Sequence, residues 1–404
     1  MHAADPARPP ARTVVVLGLL TMFGPLSLDL YLPALPQLAD DLDASASAAQ
    51  LSITTCLVGL AVGQLVAGPL SDRLGRKRPL MVGVLVYLLA SVACALAPSA
   101  TALALIRLVQ GLAGAAGIVI SRAIARDLYS GRALMIFFSR LLLIAGLAPV
   151  LAPILGGQLS RIMSWRGIFG VLAAFGAVLL LAVWFGLKET LPPERRVVGG
   201  FRRTLHGYNT LLHDRFFVGC ALSSGLAGAT MFAYIAGSTF VLQRIYGMSP
   251  QGFSLVFGCI SLGLVASAQA GARIALVWPL TRVLGLGLLI NLLGATALLV
   301  TVITGLPLAV LIAALVVMVC AVGLIFPTAN ALAMADYPDL AGTASSLQGL
   351  SQFVFGAIAA PIVGIAGEHT ALPLGIVTTA VSVCAIAGFA GLVLPVVRAR
   401  VKSH

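Results

Sequence analysis

Two ionisable side chains stand inside long apolar runs, and they are the residues best placed to do chemistry. Asp29 lies in Ser27-Leu28-Asp29-Leu30-Tyr31-Leu32-Pro33 and Arg107 in Arg107-Leu108-Val109-Gln110-Gly111. A charge within hydrocarbon costs at least about 2.5–3.5 kcal/mol on insertion scales, so each such residue is a functional candidate. Desolvation raises a carboxylate's pKa and a neighbouring cation lowers it, and a carboxyl held between these influences can take up and release a proton. We read Asp29 as a proton-binding group that Arg107 relays to or polarises. The alternative is a static ion pair that locks two helices together.

Other chemistry finds little support. The histidines His2, His206, His213, His369 and His404 fall outside the apolar runs or at their edges, and neither HExxH nor GxSxG occurs. Cys56, Cys94, Cys220, Cys259, Cys320 and Cys384 all lie in apolar stretches with no CxxC pair. We assign no catalytic residue, no metal ligand and no cofactor, and expect that the chain is not an enzyme. A channel is disfavoured because no pore-loop signature or ring of like charge is present.

These residues need a frame, and composition says which. Of 404 residues, 60% are apolar and 9% charged, against roughly 45–50% and about 25% in soluble domains. The chain is an all-α integral membrane protein whose partner is the lipid bilayer. The net charge of +12 sits in short clusters between uncharged stretches, without a basic helix interleaved with aromatics, so no nucleic-acid partner is expected.

A crossing takes about 20 apolar residues. Twelve spans fit, near 13–36, 48–70, 79–97, 101–121, 134–158, 166–187, 216–242, 250–272, 283–304, 307–333, 341–366 and 371–397. Gly305-Leu306-Pro307 breaks a run too long for one span. The run from Val14 reads as a retained span rather than a signal peptide. Counted from the nearest span end, Asp29 and Arg107 both lie roughly 10 Å deep at about 1.5 Å per residue. At matching depth they could meet or share a polar cavity.

All Lys and Arg except Arg107, Arg140, Arg161, Arg166 and Arg244 fall on the side shared by the two termini. The positive-inside rule then places both termini in the cytoplasm of a bacterial inner membrane. The charged stretch 188–215 divides the chain into six-helix bundles at 1–187 and 216–404. Ala152-Pro153-Ile154-Leu155-Gly156 echoes as Ala360-Pro361-Ile362-Val363-Gly364, and Pro69-Leu70-Ser71 as Pro279-Leu280-Thr281. Such parallel repeats place a substrate site near the midplane between pseudo-symmetric halves.

The loop Gly68-x-x-x-Asp72-Arg73-x-Gly75-Arg76-Lys77 resembles motif A of the major facilitator superfamily, and Arg107-x-x-Gln110-Gly111 resembles its motif B. The stretch from Gly146 through Pro149, Pro153, Gly156 and Gly157 is similar to the antiporter motif C, with Ala152 where many members hold Gly. Leu28 to Pro36, Arg126-Asp127-Leu128-Tyr129 and Phe240-Val241-Leu242-Gln243 narrow the likeness to the bicyclomycin/chloramphenicol resistance (Bcr/CflA) branch of drug:proton antiporters.

The resemblance implies the major facilitator fold and proton-coupled efflux of small phenicol- or bicyclomycin-like drugs, with protons as co-substrate. It implies proton coupling through Asp29 and Arg107, and a conformational latch of Gly68, Asp72, Arg73, Gly75 and Arg76, with Asp127 as a partner for Arg76. Some multidrug relatives hold a second acidic residue where this chain has Thr21, which favours neutral substrates over lipophilic cations.

Pro149 and Pro153 bend the fifth span, while Gly59-x-x-x-Gly63 reads as close helix packing within the chain. Tyr31, Tyr234, Phe240, Asn330 and Gln352 are candidates for an apolar pocket with a few polar handles. We expect a monomer. The rival on the same fold is a facilitator or symporter for a native metabolite such as an amino acid.

Overall fold

The computed structural model describes residues 11–129, 131–196, 200–337, 340–365 and 370–402. Within them the chain is helical throughout. Ten helices are long and apolar enough to cross a membrane, and a bent pair, Arg12–Thr21 with Phe23–Asp41, makes a further crossing. Gly131–Leu159, 29 residues long, occupies the place of the fifth span.

The first span is broken where proline removes backbone donors. Its pieces are α1 (Ala11–Thr21), α2 (Phe23–Asp29), a 3₁₀ turn (Leu32–Ala34) and α3 (Leu35–Asp41), with a 43° bend after Thr21. Pro25 has no N–H to offer the Thr21 carbonyl four residues back, and Pro33 has none for that of Asp29. The helix therefore ends at Asp29.

The remaining helices follow their local signals. α4 (Ala46–Leu74), α5 (Lys77–Ala95), α6 (Ala100–Leu128), α7 (Gly131–Leu159) and α8 (Trp165–Gly186) complete the first half. Ser45 and Ser99 cap α4 and α6 by accepting from the N–H groups of Ala48 and Ala102, both at 3.2 Å. The stretch between the halves contains α9 (Gly200–His213), a helix whose Tyr208 and Leu211 pack on the second half.

The second half holds α10 (Arg215–Phe240), α11 (Pro250–Ile274), α12 (Leu280–Thr304), α13 (Leu308–Ala335), α14 (Ala341–Val363), α15 (Leu372–Gly388) and α16 (Leu394–Lys402). Short π-helical segments extend α10 and join α15 to α16. Gly305, at φ 68°, ends α12 and Pro307 starts α13, at the break the sequence placed there.

The packing distinguishes the two ends of the bundle. At the end carrying Arg73, Arg76, Lys77 and Lys188, the basic end, each half has a separate apolar core. Leu17, Val84, Ile124 and Val183 belong to one, and Phe217, Leu284, Ala333 and Val393 to the other. Toward the opposite end a single core draws on both halves, with Leu35, Ile53 and Trp165 joining Tyr234, Phe253 and Leu374.

Candidate functional site: a cavity between the halves

Cross-half hydrogen bonds close the end away from the basic loops. Gln243 donates to the Pro33 carbonyl at 3.2 Å, Gln50 to the Ala236 carbonyl at 3.2 Å and Gln251 to the Gly157 carbonyl at 3.0 Å. Arg244 pairs with Asp40 and donates to the Pro36 carbonyl. Below this seal lies a cavity of about 310 Å³.

Asp29 lines that cavity. Its side chain is buried, and Oδ1 has no hydrogen-bond partner. Arg107 does not neutralise it, which corrects the expectation that the two charges could meet. The Arg107 guanidinium, fully buried, donates through Nε to the Ser52 carbonyl at 3.2 Å, through Nη1 to Gln110 Oε1 at 2.5 Å and through Nη2 to the Ser27 carbonyl at 2.8 Å. It also lies 4.8 Å from the Tyr31 ring centroid and 5.6 Å from that of Phe169. Neutral acceptors and two aromatic faces thus stabilise the cation without a carboxylate.

The arrangement closes into a ring. Gln110 Nε2 donates to Ser91 Oγ at 2.7 Å, Ser91 Oγ to the Tyr87 carbonyl at 2.7 Å, and the Tyr87 hydroxyl meets Ser27 Oγ at 2.7 Å. This network ties α2, α5 and α6 together just before Asp29.

Of the expected pocket residues, Asn330 and Gln352 line the cavity, and Asn330 Oδ1 is unpartnered. Tyr31, Tyr234 and Phe240 do not line it. Tyr31 is engaged with Arg107 and with Ser52 Oγ at 2.9 Å. Tyr234 stacks on Phe257 at 5.1 Å between centroids. Phe240 is buried at the closed end beside Gln50. On α10 the cavity face is instead Met231, Phe232 and Ile235, and a step of one residue turns a side chain by about 100° away from it.

Gln64 and Arg122 also line the cavity, and sequence reading missed both. Arg122 was counted with the basic loop because the fourth span was expected to end at 121, whereas α6 runs to Leu128. The available signal was the helical spacing of Ile118 and Arg122, four apart and both on the cavity.

The motif C residues act at two levels of α7. Pro149 lines the cavity, Pro153 lies one turn further on within the helix, and Gly146 has open space beside it. A Cβ at Gly156 would sit 1.9 Å from the Leu30 carbonyl oxygen, and one at Gly157 would sit 2.2 Å from Ser254 Oγ. Only glycine permits that approach of α7 to the broken first span and to α11. Gly111 likewise lets α6 meet α4, where a Cβ would lie 2.2 Å from the Cys56 carbonyl oxygen. Gly59 and Gly63 pack on the same helix, so their spacing serves internal contact.

At the basic end Arg76 gathers the motif A residues. Its Nε donates to Asp127 Oδ2 at 2.8 Å, Nη1 donates to Ser71 Oγ at 2.8 Å, and Asp72 completes the cluster. Arg73 is exposed, and Gly68 is in ordinary packing contact with Val119. Gly75 adopts φ +90°, a conformation that admits glycine with little strain.

Glu189, read from the sequence only as part of the charged stretch between the halves, caps this turn. Its carboxylate accepts from the backbone N–H groups of Arg76 at 2.8 Å, Lys77 at 3.1 Å, and Thr190 and Leu191 at 3.0 Å. Burial acts to raise its pKa, but the four N–H groups outweigh that and hold the carboxyl below the usual glutamate range.

The Major Facilitator Superfamily model matches residues 17–361. The uncharacterized MFS-type transporter YdgK of Bacillus subtilis is 40% identical over 93% of this chain and 94% of its own length. The bicyclomycin resistance protein homolog of Haemophilus influenzae is 30% identical over 89% of this chain and 91% of its own. Among solved structures, a bacterial homolog of the human lysosomal transporter Spinster, inward-facing and unoccupied, superposes with a TM-score of 0.75 at 15% identity, covering 96% of this chain and 97% of that one.

Proposed function

This chain belongs to the Major Facilitator Superfamily, a transporter and not an enzyme, and we propose that it exports small phenicol- or bicyclomycin-like drugs by proton-coupled antiport. The observation that carries the reading is the Asp29 carboxyl, set in the wall of a cavity between the halves with one oxygen unpartnered and no cation paired to it. Such a group gains from a proton or from a donor on a bound molecule, and both compete for the same oxygen.

Residues 1–187 and 216–404 act as the two moving bodies, with both termini in the cytoplasm of an inner membrane. In the state described, the seal made by Gln50, Gln243, Arg244 and Gln251 closes the outer side, and drug enters Asp29's cavity from the basic side. Drug binding displaces the proton. Rocking of the halves then breaks the outer seal and releases drug. Reprotonation of Asp29 from the acidic side resets the carrier, so an inward proton gradient drives drug outward.

Arg107 is a positioning residue, since it grips the backbone at Ser27. Asp72, Arg76 and Asp127 rearrange at the basic end to latch the outward-facing state.

The test is a pH-dye assay on everted vesicles, adding chloramphenicol to wild type and to Asp29→Asn. A drug-induced collapse of the gradient in wild type that disappears in the variant supports the reading. Equal responses in the two proteins, or none in wild type, would overturn it.

A further inference from the structure

Three arginines of the bundle are engaged. Arg107 has three acceptors, Arg76 has Asp72 and Asp127, and Arg166 donates to the Ala95 and Ala97 carbonyls at 3.0 and 2.9 Å. Arg122 differs. Its side chain is open to the same cavity as Asp29, and among the described residues it has neither an ion pair nor a hydrogen-bond partner.

The cavity therefore holds a carboxyl and a guanidinium that are not paired with one another. Asp29 Oδ1 and Asn330 Oδ1 are free acceptors, whereas the Arg122 guanidinium is a free fork of donors. The same wall also carries apolar side chains, Met231, Phe232 and Phe353 among them. A neutral drug uses the apolar wall and leaves the guanidinium to water. A carboxylate matches its planar fork with two parallel bonds, a geometry an ammonium cannot reproduce.

We infer that Arg122 is a specificity residue that binds a substrate carboxylate, so that the transported class includes amphoteric molecules with a carboxylate and an amine joined by an apolar body. The inference rests on the transport reading above and assigns it a ligand chemistry. The amine end is left to the acceptors at Asp29 and Asn330.

The test uses purified protein and three probes: 4-nitrophenylalanine, its methyl ester, and chloramphenicol. The ester keeps the amine and the aryl body and removes only the carboxylate charge. Binding is measured by calorimetry for wild type, Arg122→Gln and Arg122→Lys, with a monodisperse elution profile required of each.

Wild type is expected to bind the acid about tenfold or more tightly than the ester, as a charge-assisted bidentate contact gives. Arg122→Gln loses that preference, with the acid weakened far more than the ester or chloramphenicol, and Arg122→Lys retains part of it. Equal binding of acid and ester by wild type overturns the inference, as does no binding of either, or an equal weakening of all three probes in Arg122→Gln. A separate vesicle assay keeps the two claims apart. Should chloramphenicol fail to release protons while the acid preference persists, the phenicol-export reading falls and the Arg122 assignment stands.

Discussion

The Nη2 of Arg107 donates to the Ser27 carbonyl oxygen at 2.8 Å, two residues ahead of a carboxyl with which it forms no ion pair. The cation thus fixes the backbone that presents Asp29 and leaves the carboxyl's charge to be settled by whatever enters the cavity. On the proposed reading, positioning and proton binding fall to different residues.

That separation predicts additive energetics. Arg107→Gln strands the Ser27 and Ser52 carbonyls in a dry interior and is expected to cost about 3 kcal/mol or more in unfolding stability, from bonds to a charged group worth about 1.5–3 kcal/mol each. Asp29→Asn breaks no bond made by Oδ1 and is expected to leave stability unchanged or raised. A double-mutant cycle by thermal unfolding should give a coupling within about 0.5 kcal/mol. Coupling of several kcal/mol would mean an ion pair, contrary to the geometry.

At the basic end, the two carboxylates on Arg76 are not equivalent. Asp127 is 17% exposed and Asp72 49% exposed. Losing Asp127 leaves a largely buried guanidinium short of its main partner, which predicts a loss of about 2–4 kcal/mol for Asp127→Ala. The solvent-screened pair predicts less than about 1 kcal/mol for Asp72→Ala. Unfolding midpoints of the two variants, compared in one detergent, decide the order.

Glu189 supplies a pH signature. Its folded-state pKa is depressed, so the stabilisation it gives is fully present above the unfolded value of about 4.3 and is lost as pH falls through the lower folded value. Glu189→Ala removes a cap from the start of α5 and is expected to cost about 1 kcal/mol at neutral pH, less at high salt. Stability measured from pH 7 to 3 should show the wild type and variant curves converging in acid. Curves that stay parallel would leave the carboxylate no role in the turn.

The features legible in the sequence are those written in local terms. The span count, the break at Gly305 and Pro307, and the buried place of Asp29 follow from run length, backbone chemistry and the rarity of charge in hydrocarbon. The partners of Arg107 were not legible, because Ser27 and Ser52 offer backbone carbonyls that every residue possesses. Arg122 was hidden for a different reason: α6 outlasts its apolar run, and charge counting cannot tell a cavity wall from a loop. Tyr234 and Phe240 share α10 with the cavity residues but not their face, and composition alone does not set helix rotation.

The paired glycines of α7 give the sharpest steric prediction, because their neighbours differ in freedom. A methyl at Gly156 meets the Leu30 carbonyl oxygen at 1.9 Å, a backbone atom in the proline-rich break, whereas one at Gly157 meets the Ser254 side chain of α11, Oγ at 2.2 Å and Cβ at 2.7 Å. Gly156→Ala must therefore push α7 away from the first span, and overpacking of this kind costs about 1–3 kcal/mol. Gly157→Ala can turn the Ser254 hydroxyl aside but still meets Ser254 Cβ, so it pushes α7 away from α11, where Gln251 holds the Gly157 carbonyl. Since that contact is part of the cross-half seal, Gly157→Ala is expected to shift the population toward an open outer side, with less loss of stability than Gly156→Ala because the strain falls on an interface that can separate. Gly156→Ala is expected to lower the unfolding midpoint first. Alkylation of a cysteine placed at Gln243, within the seal, reports the opening: it should speed up several-fold in Gly157→Ala. Equal alkylation in wild type and Gly157→Ala would mean that α7 and α11 separate too little for this contact to gate the cavity.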